Sequence, residues 1–442
     1  MRFQALPALV PNGASNAAWH ARGSLHACSR HRQTLSDPCL GCYALINRAT
    51  YDPRMSTTCL VQTVGAQTVH AVTAALGYAP SRVVHLHAPE DGDASRRIEA
   101  ACRLAGLRGA RWDHVSIRRD DPVGAAEAAA SAAFAAARAD GLRPVANLTG
   151  ATKLLAIGTY RAAERATVPC IYLELPEGDE DGVPQIVHFG EGTPPLPAGD
   201  PAESLTMEVI ATANGYTLVD PGSDPARLKD LAALLLRDPD IEEETHGALP
   251  PAIRDRVPFP GTPQWSAWLA DFRLPEPVAA LAEEAGVIRR RGSACALSDG
   301  DDRETSRRRR TDERNASILN GAWFEVAVHD WLSRDPALRD VRWSVIAERP
   351  RPLEHDVLAM KGTQLLIASC KRGTGPGIFG HVRELSAHAL RLGGLKSLKM
   401  LCVARIDTRP RPDGSGTVGS DLAEVCDAMG VRLVTGGEVR GC

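Results

Sequence analysis

Short apolar strands alternate with helices over residues 57–190, and this alternation restricts the fold more than any other feature of the chain. Strands are predicted at 57–64, 82–88, 112–118, 144–150, 168–175 and 184–190, with helices at 66–78, 94–105, 123–140 and 151–166. Strands separated by helices at this spacing predict a parallel sheet with crossover helices, whose ligands bind at the carboxyl ends of the strands. We therefore predict an α/β domain over residues 56–195.

The remaining part of the 442-residue chain divides by composition into three further regions. Residues 203–288 are predicted to be a mostly helical connecting region. Residues 289–314 are rich in charge and poor in apolar residues, which is typical of a linker. Order returns over 315–442, where a second α/β domain is predicted from helices at 317–334, 379–392 and 420–429 and strands at 341–348, 354–360, 363–371, 397–405 and 431–434.

Residues 1–55 lack hydrophobic periodicity and are predicted to be a poorly ordered extension, with Met55 as a natural start of the ordered chain. This segment contains Cys28, His31, Cys39 and Cys42, and a Cys-x-x-His pair with a Cys-x-x-Cys pair can close a tetrahedral zinc site. Both interpretations stay open. Most of the other cysteines lie in apolar runs and are typical of core residues in a reducing compartment.

Charge and hydropathy exclude two broad classes of protein. The formal net charge of -3 is incompatible with a basic coat over the whole molecule, so nucleic-acid contacts must come from local patches. The sequence has no run of 18 apolar residues, and residues 1–20 lack the compact apolar core of a signal peptide. We expect a cytoplasmic protein without a membrane partner.

Polar residues cluster on the two strands predicted at 354–360 and 363–371. These strands are joined by the short sequence KGT, which predicts a tight hairpin. Because side chains alternate along a strand, Glu354 is expected to share a face with Asp356, and Ser369 with Lys371. The hairpin brings the two faces together at one end of a sheet, and Glu325 on the preceding helix can point to the same place.

Two carboxylates, a hydroxyl and a lysine in one place are suited to phosphodiester hydrolysis. Carboxylates bind Mg²⁺ or Mn²⁺, and such an ion polarises a phosphoryl group and activates water. A nearby lysine helps to deprotonate that water or stabilises developing negative charge. The alternative interpretation is an edge hairpin whose charges are only solvated.

A second polar segment, VANLTGATK at 145–153, ends a predicted strand and opens a helix. Gly150 permits a tight turn there, and the free amides of a helix N-terminus bind anions. The hydroxyls of Thr149 and Thr152 and the ammonium of Lys153 lie beside these amides, and an ammonium suits phosphate. An ordinary capped helix explains the same residues. The segment matches neither a Walker loop nor the GxGxxG pattern of dinucleotide-binding domains, which argues against a metabolic dinucleotide enzyme.

The order of a helix with Glu, a strand with Asp and a next strand with Lys resembles the PD-(D/E)xK, restriction-endonuclease-like nuclease fold. More narrowly, NGAWFE and EHDVLAMKGTQLLIASCK resemble the nuclease half of the CARF-domain ancillary nucleases of type III CRISPR systems. The resemblance covers roughly residues 57–195 and 316–435. It implies a Rossmann-like CARF sensor domain at the N-terminus and a PD-(D/E)xK nuclease domain at the C-terminus.

The resemblance also implies roles for the clustered residues. Asp356 matches the metal-binding aspartate, Lys371 the catalytic lysine and Glu325 the acidic residue on the helix. Ser369 departs from the pattern, because the fold usually has Glu or Asp at that position. Glu354 is then a candidate to supply the missing charge, and the resemblance makes the backbone carbonyl of Cys370 a further ligand of Mn²⁺ or Mg²⁺.

For the N-terminal half, the resemblance implies a pocket for a cyclic oligoadenylate, with cyclic tetra-adenylate as the expected activator. Two CARF domains of such proteins hold one ring across a two-fold axis, so a homodimer is implied. The residues expected to face the ring are Thr63, Gly65 and Gln67 after the first strand, and Asn147, Thr149, Gly150, Thr152 and Lys153 after a central strand.

The leading hypothesis is therefore a metal-dependent endonuclease of antiviral defence that is activated by a cyclic oligoadenylate and cuts single-stranded DNA or RNA. The competing hypothesis is a sensor whose nuclease fold is catalytically impaired and only binds nucleic acid. Ser369 is the residue that keeps this second hypothesis open.

Overall fold

The computed structural model describes residues 57–174, 185–189, 200–220, 224–254, 272–298, 314–349, 352–375, 377–410 and 416–441. The predicted extension at 1–55, with Cys28, His31, Cys39 and Cys42, lies outside these ranges. The part of the predicted linker at 299–313, which includes the basic residues Arg307–Arg310, also lies outside them.

The N-terminal half is built on a six-stranded sheet with the order β3-β2-β1-β4-β5-β6. Its strands are β1 Thr58–Val64, β2 Arg82–His87, β3 Arg111–Ser116, β4 Arg143–Asn147, β5 Cys170–Glu174 and β6 Gln185–Phe189. The first five strands are parallel, and β6 is antiparallel to β5. All seven residues of β1 are buried, as expected for a central strand covered on both faces.

Four helices cross over between the parallel strands: α1 Thr68–Tyr78, α2 Gly92–Leu104, α3 Pro122–Ala139 and α4 Lys153–Arg165. Helix α3 begins at Pro122, and Asp121 caps it by accepting a hydrogen bond from the Gly124 amide at 2.9 Å. Its buried stripe of Ala126, Ala130, Phe134 and Ala137 packs on the sheet. The predicted α/β fold of this half is confirmed, and the predicted elements are all present.

The middle of the chain contains α5 Pro201–Ser204, α6 Met207–Asn214, α7 Lys229–Arg237, α8 Pro239–Ala248, α9 Pro251–Arg254 and α10 Glu276–Glu284. A mostly helical region was expected here. The short strand β7 Thr217–Val219 is an addition, because it pairs with the sheet of the C-terminal half. The predicted linker begins too early: β8 Ile288–Arg291 and β9 Ala294–Leu297 form an antiparallel hairpin. Cys295 of this hairpin is buried, although the charged residues around it in the sequence predict a linker.

The C-terminal half is a second six-stranded sheet with the order β14-β13-β12-β11-β10-β7. The strands are β10 Leu338–Glu348, β11 Leu353–Lys361, β12 Gln364–Gly373, β13 Leu398–Arg405 and β14 Arg432–Thr435. The helices are α11 Trp323–Ser333, α12 Ile378–Gly393, α13 Val418–Ala428 and α14 Gly436–Arg440. A single π turn at Ile318–Ala322 leads into α11, with Gly321 at φ 137°. The predicted hairpin is present, since Lys361 pairs with Gln364.

Helix α6 joins the two halves. It packs against α1 and α2 of the first half and against α12 of the second. One continuous apolar core runs through this contact, including Val72 of α1, Ile210 of α6 and Val382 of α12. Arg339 of β10 adds polar contacts, because its guanidinium donates to the carbonyls of Ala202, Leu205 and Gly362 at 2.7 to 2.9 Å. Within the described ranges, none of the helices has the length and apolar character needed to cross a membrane.

Candidate functional site

The strands β11 and β12 separate at the end of their ladder, and Asp356 lies at this separation. Their pairing runs from Lys361↔Gln364 to Val357↔Ala368 and stops there. Beyond this point the Asp356 carboxylate replaces the missing ladder contact, because its Oδ2 accepts a hydrogen bond from the Cys370 amide at 2.6 Å. A backbone donor in a sheet is rigidly held, so this bond fixes the carboxylate in place.

A local irregularity produces this arrangement. Trp343 pairs with Val357, and both belong to the core beneath α11. Val345 pairs with His355 two residues further on, yet Val345 belongs to the core on the α12 side and the His355 ring packs on His388 of α12. Regular alternation would keep both pairs on one face. Ser344, between the two pairs, has φ 55°, so the backbone of β10 rotates here while its pairing with β11 keeps its register.

The Lys371 ammonium lies among three oxygen atoms at the same place. Its Nζ is 3.4 Å from Asp356 Oδ2, 3.0 Å from Ser369 Oγ and 2.9 Å from the Cys370 carbonyl. The Ser369 hydroxyl also donates to Asp356 Oδ2 at 3.3 Å. The sequence analysis predicted that Asp356, Ser369 and Lys371 meet, and the structure brings these side chains together.

Glu325 enters from α11 and shares the electrostatic field of the site. Its Oε2 accepts a hydrogen bond from Trp343 Nε1 at 3.0 Å. Burial, together with the negative charges of Asp356 and Glu354, raises the pKa of Glu325 to about 8, against the opposing effects of the hydrogen bond from Trp343 and the charge of Lys371. Two carboxylates that interact in this way favour a cation between them.

Glu354 differs from the other acids because it is exposed. Its Oε1 accepts a hydrogen bond from the Ser344 hydroxyl at 2.8 Å, and its side chain lines the same cavity as Asp356. Within the described ranges, no group of three His, Cys, Asp or Glu side chains is spaced to hold a metal ion. The assignment of Asp356, Glu354 and Cys370 as metal ligands therefore stays a prediction.

The chemistry of the donors is nevertheless compatible with Mg²⁺ or Mn²⁺. The carboxylate of Asp356, the hydroxyl of Ser369 and the carbonyl of Cys370 are all oxygen ligands, which these ions prefer. The same three oxygens already surround a positive charge, the ammonium of Lys371. A place that accommodates an ammonium among oxygens fits a small divalent cation.

The second candidate site is the crevice between β1 and β4 in the N-terminal sheet. The connections from these neighbouring strands leave in opposite directions, which makes their carboxyl ends a topological switch point, the usual ligand site of such sheets. The two loops touch there through glycines. A Cβ on Gly65 would lie 2.6 Å from the Gly150 carbonyl oxygen, and Gly150 itself has φ 94°. Both positions therefore require glycine.

The predicted ligand-binding residues divide into an exposed and a buried group. Thr152 and Lys153 are exposed at the start of α4, Gln67 and Gly150 are partly exposed, and Gly65 is buried in the loop contact. Thr63, Asn147 and Thr149 are also buried, at 2% exposure or less, and hydrogen-bond within the domain. Their side chains hold the loop from inside the domain, and their assignment as ligand contacts stays a prediction.

Sequence reasoning missed a chain of buried polar groups behind this loop. The Thr149 amide donates to Asn147 Oδ1, and Asn147 Nδ2 donates to Gln62 Oε1 at 3.2 Å. Gln62 Nε2 lies 2.8 Å from His85 Nε2, and the contacts continue through Ser95 and His114 to Glu99 on α2. If His85 carries its proton on Nδ1 and His114 carries its proton on Nε2, all hydrogen bonds from Gln62 to Glu99 run in the same direction and every polar atom has a partner. Isolated polar residues on separate strands gave no signal for this chain.

Two further pairs of residues have structural roles. His85 is buried in the polar chain, and His87 lies at the end of β2 with its Nδ1 2.8 Å from the Ala88 carbonyl. Trp323 is buried in the core and Trp331 packs against it.

Comparisons with known proteins agree with this architecture. No family model matches the chain, and no curated protein matches its sequence. Among solved structures, protein VC1899 from Vibrio cholerae superimposes with a TM-score of 0.60 at 16% identity, over 87% of this chain and 96% of that chain. Can2 from Sulfobacillus thermosulfidooxidans in complex with cyclic tetra-adenylate gives a TM-score of 0.61 at 15% identity, over the same shares of 87% and 96%.

A third solved structure, a type III CRISPR defence DNA nuclease activated by cyclic oligoadenylate, gives a TM-score of 0.50 at 19% identity. The alignment covers 81% of this chain but 47% of that nuclease. At such identities the likeness establishes the fold. The chain has the fold of Can2 and VC1899 over most of its length, so the mixed α/β architecture expected of a CARF-domain ancillary nuclease is confirmed, and the PD-(D/E)xK assignment of the C-terminal half stays a prediction.

Proposed function

We propose that this protein is a metal-dependent endonuclease of type III CRISPR antiviral defence that is activated by a cyclic oligoadenylate and cuts single-stranded DNA or RNA. The observation that carries the proposal is the meeting of Lys371 Nζ with Asp356 Oδ2, 3.4 Å apart, where two strands separate. The shared fold supports it, because one structure with that fold holds cyclic tetra-adenylate and another is a DNA nuclease activated by cyclic oligoadenylate.

In the nuclease site, Asp356 and the Cys370 carbonyl would hold Mn²⁺ or Mg²⁺, with Glu354 as the nearest additional carboxylate. When bound, such an ion polarises the phosphodiester and activates water. Lys371 would place its ammonium against the negative charge that develops on the phosphoryl oxygens. The Cys370 amide keeps Asp356 in position throughout, since a backbone donor does not reorient.

The activator would bind in the crevice between β1 and β4. Lys153 and the free amides at the start of α4 offer a positive charge and hydrogen-bond donors to phosphate. Next to them on α4, Leu154 and Ile157 are 48% and 44% exposed, which is unusual for large apolar side chains on an amphipathic helix. We assign this apolar pair to a homodimer contact, which would set two copies of Lys153 around one symmetric ring.

A direct path joins this crevice to the nuclease half. Thr68, the first residue of α1 after the Gly65–Gln67 loop, donates to Asn214 Oδ1 at 2.9 Å. Asn214 in turn donates to the Leu392 carbonyl in the last turn of α12 at 2.9 Å. A ligand that moves the loop after β1 would therefore act on α12, one wall of the nuclease cavity.

The test is cleavage of labelled single-stranded DNA and RNA with Mn²⁺, with and without cyclic tetra-adenylate. We expect cleavage that depends on both additions. A protein that binds the activator tightly but cleaves neither strand would contradict the proposal in favour of the competing hypothesis, a sensor with an impaired nuclease fold. That alternative draws on Ser369, which supplies a hydroxyl where a carboxylate would bind metal more strongly.

A further inference from the structure

The cavity beside Asp356 and Lys371 has a second wall made of histidines. This cavity, of about 220 Å³, is bounded on one side by residues of β11 and β12 and on the other by α12. His381 and His388 of α12 line it, together with His355 of β11. We call these three residues the histidine wall. None of them enters the chemistry described above.

The spacing of the two helical histidines places them along one side of the cavity. Residues seven apart lie on nearly the same face of a helix, separated by about 10.5 Å along its axis. The neighbouring face of α12 is used for packing, since Val382, Leu385 and Ala389 are buried. His381 and His388 are only partly covered, and Glu384, which lies 3.3 Å from His381 Nδ1, is the acid on this wall.

His355 supplies an independent indication that a ligand is expected here. Its side chain is 4% exposed, and its ring meets the ring of His388 edge to face, with centroids 5.9 Å apart. The buried Nε2 of His355 has no hydrogen-bond partner among the described residues. An unsatisfied buried nitrogen is costly, so its retention in a cavity wall points to a partner that the protein alone does not provide.

The chemistry of imidazole selects the partner. Ring N–H groups donate hydrogen bonds to phosphate oxygens, and ring faces stack on unpaired bases. A base paired in a duplex offers no free face for stacking, so a histidine wall favours a single strand.

We propose that the histidine wall is the subsite that holds a single nucleic-acid strand in the nuclease cavity, opposite Lys371. His381 and His388 contact the strand directly. His355 offers its buried Nε2 to the strand and, through the packing of its ring, orients His388. This inference rests on the proposed nuclease function. It adds the residues that bind the single strand.

The experiment measures steady-state cleavage of a fluorescent single-stranded oligonucleotide by the full-length protein, with Mn²⁺ and cyclic tetra-adenylate. We expect the double variant His381→Ala/His388→Ala to raise KM about tenfold, with kcat changed less than twofold, because uniform binding is lost. His388→Asn, which keeps a hydrogen-bond donor, should recover part of the loss. His188→Ala is the matched control, since His188 is exposed on β6 of the other sheet.

Two results would overturn the inference. An unchanged KM in the double variant would show that the strand does not use this wall. A fall in kcat at constant KM would indicate proton transfer to the leaving oxygen instead of strand binding.

A wild-type protein without cleavage would contradict the proposed function itself. In that case, binding of the same oligonucleotide to wild type and double variant, measured by fluorescence anisotropy, still tests the wall. His355→Phe tests in addition whether His355 orients His388. If this variant does not fold, the inference is still tested by His381→Ala/His388→Ala and His388→Asn on α12.

Discussion

The contact between Gly65 and the Gly150 loop allows a specific prediction about activator binding. In Gly65→Ala the new Cβ would lie 2.6 Å from the Gly150 carbonyl oxygen and 3.2 Å from Ala151 Cα. Both are backbone atoms, so no flexible side chain can move aside. The two loops that form the crevice between β1 and β4 must separate, while the nuclease sheet is untouched.

The size of the effect follows from the overlap. Forcing one extra methyl group into a packed contact costs about 1 to 3 kcal/mol. If the crevice closes on cyclic tetra-adenylate when it binds, the cost of the added methyl group reduces the free energy of binding. A loss of about 1.4 kcal/mol raises Kd tenfold. We therefore expect the Kd for cyclic tetra-adenylate to rise by roughly 5-fold to 150-fold.

The assay is isothermal titration of cyclic tetra-adenylate into wild type, Gly65→Ala and the control Gly77→Ala. Gly77 lies in α1, and a Cβ there meets no described atom within 4 Å. The control should bind normally and gain about 0.4 to 1 kcal/mol of stability from its less flexible unfolded chain. A Gly65→Ala protein that is folded and binds as tightly as wild type would refute the placement of the activator between these loops.

Three further predictions address the nuclease site, the coupling and the stability. Ser369→Glu adds a carboxylate beside Asp356 and should lower the Mn²⁺ concentration for half-maximal cleavage; no change in metal dependence would exclude this position from the metal site. Asn214→Ala removes its hydrogen bonds to Thr68 and Leu392, about 0.5 to 1.5 kcal/mol each, and should reduce the activation of cleavage by the activator at least fivefold without changing its Kd; full activation would contradict the path through α6. Burial lowers the pKa of His85 to about 3 and the pKa values of His70 and His355 to about 4, from an ordinary value of 6.5. The unfolded chain therefore binds protons first as the pH falls, and the free energy of unfolding, measured by urea denaturation, should decrease below pH 6.5. A free energy of unfolding that stays constant between pH 7 and 5 would contradict the burial of these rings.

Sequence reasoning predicted the elements that depend on local pattern. The strands and helices of both sheets follow from apolar periodicity, and the hairpin at 361–364 follows from a short turn sequence. The meeting of Asp356 with Lys371 was also predictable, because it needs only two strands joined by a hairpin.

Features that depend on several distant segments were not predictable. The strand β7 has three residues and acquires its role only by pairing with β10, more than 100 positions later. The hairpin of β8 and β9 contains three consecutive arginines, Arg289–Arg291, and its buried residues are covered by Phe272 and α10. The backbone rotation at Ser344 breaks the regular alternation of side chains that the sequence pattern predicts.

The polar support of the sensor crevice shows the same limit. Asn147 and Thr149 were identified from the sequence as ligand contacts, because polar residues after a strand commonly face a ligand. Their partners, among them Gln62 on β1, become visible only when the register of the sheet is known. The sequence identifies the segment, and the hydrogen bonds of its residues follow only from the fold.

The central claim is that Asp356 and Lys371 act together on one scissile phosphate with a divalent ion. The most direct measurement is cleavage of single-stranded DNA with Mn²⁺ and cyclic tetra-adenylate by wild type, Asp356→Asn and Lys371→Met, each checked for activator binding. We predict that both variants bind the activator as wild type does and lose cleavage at least 100-fold. Cleavage that persists in both variants would contradict the claim and place the chemistry elsewhere in the molecule.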